Sequence, residues 1–108
     1  MSQVIPIAAT SADAVVVQAG QTTIPGDGSS KYPSVNALKG YSLCESTGSA
    51  GCKLRLRDGA DVSGSVVAVV ALASGASVSV GDLDAALFNG AIFLDMVSGS
   101  VEGAVYFA

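Results

Sequence analysis

The stretch Cys52-Lys53-Leu54-Arg55-Leu56-Arg57 alternates apolar and basic side chains without a break. The block after it, Ser65-Val66-Val67-Ala68-Val69-Val70-Ala71-Leu72-Ala73, is almost wholly apolar. A two-residue period puts Cys52, Leu54 and Leu56 on one face of a strand and Lys53, Arg55 and Arg57 on the other. The second block reads as a central strand covered on both faces. A short buried helix fits the same run, but valines at 66, 67, 69 and 70 favour the strand. Gly/Ser/Asp turns bound both blocks, and the rest of the chain repeats this texture on either side.

Working outward, Ser77-Val78-Ser79-Val80 alternates again, and Asn36–Glu45 is strand-like with Gly40 as a bulge or close-approach point. Ser46–Gly51 reads as a hairpin-type connection. Ile92–Val97 and Val101–Phe107, joined by Ser98-Gly99-Ser100, read as a terminal hairpin. Asp82–Asn89 is the one helical candidate, with Asp82 as cap and Asn89-Gly90 as stop; at two turns an ordered loop competes with it. Ala14–Gln18 is a β-branched run. Residues 1–13 read as an extended N-terminal arm, because Pro6 blocks a helix and Thr10-Ser11-Ala12-Asp13 is turn-like. Residues 14–108 then form a single β domain with a long loop at 20–34, for which Ile24, Tyr32 and the following Val35 are candidate anchors. About seven short strands with Gly/Ser turns predict an all-β fold, an antiparallel β-sandwich or jelly-roll-like barrel.

Composition narrows the function classes. Half of the 108 residues are hydrophobic, yet aromatics make up 6% and there is no Trp. A core of such small side chains leaves a thin stability margin, which burial against another subunit would widen. Charged residues are 13%, against about 25% in a typical domain, and the net charge is −4. Five basic residues against nine acidic ones do not make a phosphate-binding surface, so no nucleic-acid partner is expected. The longest apolar run, Val66–Ala73, is too short for a membrane helix of about 20 residues. The first residues lack the basic and apolar regions of a secretory signal, so no membrane association and no export are expected.

No His is present, which removes Ser–His–Asp and Cys–His catalysis within the chain. Asp95 with Glu102 could be nominated as a carboxylate pair for glycoside hydrolysis, but the aromatic platforms of such a cleft are lacking. Neither Asp58-Gly59-Ala60-Asp61 nor Asp27 forms a calcium loop; Asx turns explain them. Parity argues against a disulfide, since Cys44 points outward if Tyr41 and Leu43 face the core, while Cys52 faces inward. Reduced cysteines are expected. The chain is therefore expected to be no enzyme, with no catalytic residue, no cofactor and no metal. The basic row Lys53/Arg55/Arg57 is either a solvated strand face or a docking strip for an acidic partner.

Several segments also resemble a known class of proteins. Gly40-Tyr41-Ser42-Leu43, Leu54-Arg55-Leu56-Arg57-Asp58-Gly59, Gly64-Ser65-Val66-Val67-Ala68 and Val97-Ser98-Gly99-Ser100-Val101-Glu102-Gly103-Ala104-Val105-Tyr106 are similar to segments of small structural proteins of tailed bacteriophages and prophages. Ile7-Ala8-Ala9-Thr10 with Val15-Val16-Val17 fits as well, whereas the Gly20–Ser34 loop departs from the pattern. The resemblance covers most of the chain through turn and strand residues and carries no catalytic motif. It implies a virion protein made in the host cytoplasm, a minor capsid or decoration (cement) protein on the phage head surface. Its partner would be the major capsid protein, and a homo-oligomer, with a trimer as one form, would be its state. On that implication Val4, Ile5, Ile7, Ile24, Tyr32, Lys53, Arg55 and Arg57 are the partner contacts. A tail, baseplate or head–tail connector component is the first alternative. A small carbohydrate-binding β-sandwich, using Tyr32 and Tyr41 as a platform, is the second.

Overall fold

The computed structural model describes residues 3–18 and 37–108. Nine strands are present among them: β1 (Gln3–Thr10), β2 (Ala14–Gln18), β3 (Ala37–Glu45), β4 (Cys52–Asp58), β5 (Ser65–Leu72), β6 (Ser77–Val80), β7 (Ala85–Ala86), β8 (Ala91–Ser98) and β9 (Val101–Phe107). All pairing is antiparallel. One sheet has the order β1-β9-β3-β6, with β7 continuing the β6 edge along β3; the other has the order β2-β8-β4-β5.

Successive strands mostly change sheet. Only β4 and β5 are consecutive strands joined as a hairpin, and β6 and β7 share one edge. With β6 and β7 taken as one interrupted strand, eight strands divide four and four between two sheets in jelly-roll order. The two sheets pack face to face as a sandwich and do not close into a barrel.

Alternation decides what lies between the sheets. Leu54 and Leu56 of β4 are fully buried, as are Val101, Val105 and Phe107 of β9, and Ile92 and Leu94 of β8. Each such side chain stabilises the fold by about 1.5–3 kcal/mol through burial. Lys53, Arg55 and Arg57 point away from this core, as their spacing predicts. Gly40 is a close-approach point: a Cβ there would lie 2.1 Å from the carbonyl oxygen of Val80. The β3–β9 register breaks beside it, between Leu38 and Gly40.

Five expectations change. Ser46–Gly51 and Gly99–Ser100 are not hairpin loops, because β3 and β4, and likewise β8 and β9, lie in opposite sheets. Residues 3–10 are extended, but they form an edge strand of the first sheet, paired with β9 from Gln3↔Phe107 to Thr10↔Val101. Ile5 and Ile7 consequently face the core, at 1% and 9% exposure. β5 is an edge strand with one face open rather than a central strand. No helix forms over 82–89: Ala85 and Ala86 pair with Leu38 and Ala37 as β7.

Candidate interaction surface

Each end of the sandwich is tied by one buried carboxylate. Glu45 and Asp58 are the buried charged residues among those described. At the end where β3 stops, Glu45 accepts hydrogen bonds from the backbone of Thr47, Gly48 and Gly75 and from the Thr47 hydroxyl. Beside it, the Ser46 and Ser100 hydroxyls are 2.7 Å apart, and Ser100 Oγ donates to the Thr10 carbonyl. The crossings between the sheets at this end are thus linked to one another.

At the opposite end, Asp58 closes β4 and holds the loop before β8. Phe88 N donates to its Oδ2 at 2.8 Å and Asn89 N to its Oδ1 at 3.0 Å. The Asn89 side-chain amide donates to the Asp58 carbonyl at 2.9 Å, and Gly59 N donates to Ala91 O at 3.2 Å. The loop is fixed by buried polar bonds, and it presents Phe88 almost entirely to solvent, at 89% exposure. A large aromatic this exposed on an anchored loop is the most unusual feature of the described surface. The adjoining β4–β5 turn carries Val62, also exposed. Asp61 shapes that turn by accepting from the Ser63 hydroxyl and, next, its backbone, which holds its carboxyl below the ordinary Asp range. This is the expected Asx-type use.

Replacing Asp58 with Asn tests whether the anchor matters. The amide offers one acceptor where two backbone donors now converge, so one donor loses its partner. We expect a loss of about 1–3 kcal/mol, with faster amide exchange at Phe88 and Asn89 than elsewhere in the chain. Unchanged exchange at those two positions would show that the loop is held by other contacts.

The basic row is partly neutralised. Arg57 Nε lies 2.9 Å from Asp95 Oδ2 of the neighbouring β8, and Arg57 Nη1 donates to the Gly64 carbonyl at 2.8 Å. Arg55 lies 3.7 Å from the same carboxylate. Lys53 is exposed and makes no ion pair with a described residue. Three cations against this one carboxylate leave the row net positive, with Arg57 engaged within the chain and Lys53 and Arg55 the more open. Val4 is half-exposed on the outer side of β1. Ile24 and Tyr32 lie outside the described residues, as does the expected loop at 20–34.

Tyr41 is partly buried and packs against the core, so it does not offer an open sugar platform. Asp95 and Glu102 belong to opposite sheets. Among the described residues no three His, Cys, Asp or Glu side chains gather in a metal-binding group. Cys44 and Cys52 are free thiols on strands of different sheets. Cys52 is buried, and that burial, followed by the nearby Glu45 charge, pushes its thiol up. Between β1 and β2 lies an open cleft of about 360 Å³, lined by Pro6, Ile7, Thr10, Val15 and Leu94 among others, without a charged side chain.

Phe88 and Val62 are the surface residues that sequence reasoning missed. The signal was an aromatic directly before Asn89-Gly90, a turn dipeptide, which the helical reading of 82–89 absorbed. No helix among the described residues is long and apolar enough to cross a membrane. No family model, no curated protein and no solved structure matches this chain.

Proposed function

We propose that the chain is a non-enzymatic structural protein of a tailed-phage virion, a decoration protein that binds the outside of the head and bridges major capsid subunits. The resemblance of its strand and turn segments to such proteins motivates this reading. The fold is compatible with it but does not select it, because jelly rolls serve capsid and lectin domains alike. The observation that carries the reading is Phe88, exposed at 89% on a loop anchored to buried Asp58.

A protein of this kind works through contact area repeated over many copies. Rigid presentation lowers the ordering cost of binding, and one buried Phe contributes about 1.5–3 kcal/mol, roughly a ten- to hundredfold gain in affinity. Repetition on a lattice multiplies such modest contacts.

The test mixes purified protein with expanded heads that lack it, pellets them, and measures its ratio to the major capsid protein. We expect saturation at a fixed high ratio and heads that resist heat better. Phe88→Ser should weaken binding by about tenfold or more while leaving the melting temperature of the free protein unchanged, since the ring makes little contact within the chain. Absence of head binding would overturn the decoration role and favour a tail, baseplate or connector position.

A further inference from the structure

We propose that β5 is a self-association edge, along which two copies pair antiparallel about a twofold axis to join their four-stranded sheets into one of eight strands. This does not rest on the virion reading, because it concerns the purified chain alone.

The argument begins with how the sheet edges are guarded. An open edge offers unpaired N–H and C=O groups to any passing strand, and proteins blunt such edges with proline, charge, irregularity or shortness. β1 carries Pro6 in its middle. β6 has four residues and β7 two, with Asp82 and Asp84 between them and Asp84 paired to Lys39. β2 has five residues and a register break between Val15 and Val17. β5 is eight residues long and contains neither a proline nor a charge. Its register with β4 shifts once, opposite Leu56 and Arg57, which leaves Ala68–Leu72 as a regular run. Val66 and Val69 on its outer face are 43% and 56% exposed. Among the described edges, β5 is the longest strand with neither a proline nor a charged side chain.

The occupant that fits is a second copy. A partner recognised by charge finds none on β5. An identical strand laid antiparallel continues the pattern of the sheet, and it places valine rows side by side on the outer face, where cross-strand β-branched pairs are favourable. The nearest like charges do not oppose this. The two β4 rows would be three strand spacings apart, about 14 Å, beyond the Debye length of about 8 Å at physiological salt. Arg55 and Arg57 moreover both lean on Asp95 within their own copy. An eight-residue edge is only about 26 Å long, so its contact falls below the roughly 1,200 Å² of a standard interface. The dimer is accordingly weak when free, with a Kd on the order of 10–100 µM.

Sedimentation equilibrium from about 1 µM to about 1 mM protein reads this directly. We expect a monomer–dimer equilibrium in that range, with β5 amides gaining protection from exchange as concentration rises. The double variant V66K/V69K sets lysines against their symmetry mates and should weaken the dimer at least tenfold. Both positions are exposed, and an unchanged circular dichroism spectrum would verify its fold. Val62→Lys, in the adjoining turn, should leave the equilibrium as it is. A strictly monomeric chain at the highest concentration, a trimer or ring, or a dimer indifferent to V66K/V69K would each overturn the proposal.

Discussion

Gly103→Ala is expected to abolish cooperative folding or to lower the melting temperature by about 20 °C or more. Gly103 lies in β9, which runs between β1 and β3, and its φ of 149° falls where a side chain is strained. A Cβ built there would stand 1.9 Å from the Ser42 carbonyl oxygen, 2.9 Å from the Ser42 carbonyl carbon and 3.0 Å from Leu43 Cα. All three are backbone atoms, so no rotamer change relieves the clash; β9 must move away from β3. Val101 and Val105 on either side are fully buried, and Leu43, the pairing partner of Gly103, is 1% exposed. Shifting this segment therefore opens the core as well as the ladder. A cost of about 4 kcal/mol or more is a large share of the roughly 5–15 kcal/mol that stabilises a domain of this size. Differential scanning calorimetry of the purified variant checks it, and a melting temperature within a few degrees of the parent would show that β9 can slide without loss.

The contrast between β4 and β5 shows what the sequence could and could not convey. The alternation of Cys52–Arg57 named the inward and outward residues of β4 correctly, because a two-residue period is a local property. The apolar run Ser65–Leu72 was equally legible as a strand. Its place at an edge was not, since composition says what a strand can bury and only topology says what covers it. The connections at Ser46–Gly51 and Ser98–Ser100 teach the same point. Gly and Ser there signal a reversal of direction, but whether the next strand pairs alongside or crosses to the facing sheet depends on distant residues, among them the Ser46–Ser100 and Glu45–Gly75 contacts.

The helix expected over 82–89 failed for a related reason. Its capping residue and small apolar stretch were a locally consistent pattern, but short helices are marginal without tertiary packing. Asp58, some thirty residues earlier, takes the Phe88 and Asn89 amides, and β3 takes Ala85 and Ala86. The exposure of Phe88 was illegible for the same reason, since it follows from the loop that distant Asp58 holds. Ile5 and Ile7 were misplaced in the opposite sense: Pro6 between them suggested an arm, yet an edge strand accommodates a proline.

Glu45→Gln is expected to lower the melting temperature at neutral pH by on the order of 10 °C, and that difference is expected to shrink on acidification. The Glu45 carboxylate accepts from Thr47 N at 2.9 Å, Thr47 Oγ1 at 2.7 Å, Gly48 N at 2.7 Å and Gly75 N at 3.1 Å. The bonds from the Thr47 backbone and hydroxyl, with those from Gly75 and Gly48, outweigh burial and hold its pKa at about 2, down from 4.5. Between those two values the unfolded chain binds a proton that the folded chain does not, so stability rises with pH there. The contribution of Glu45 is complete above about pH 5 and is lost as pH falls from 4.5 toward 2. Gln keeps one acceptor oxygen and turns an NH₂ toward donors that need an acceptor, so the variant is weakened at pH 7 but has no proton to bind in this window. Melting curves of both proteins from pH 7 to pH 2 should therefore converge at the acid end, and their difference cancels the separate contribution of Asp61. A gap that stays constant over that range would mean that Glu45 holds the two crossings through shape alone. Convergence would show that its charge joins the β3–β4 crossing to the β5–β6 crossing.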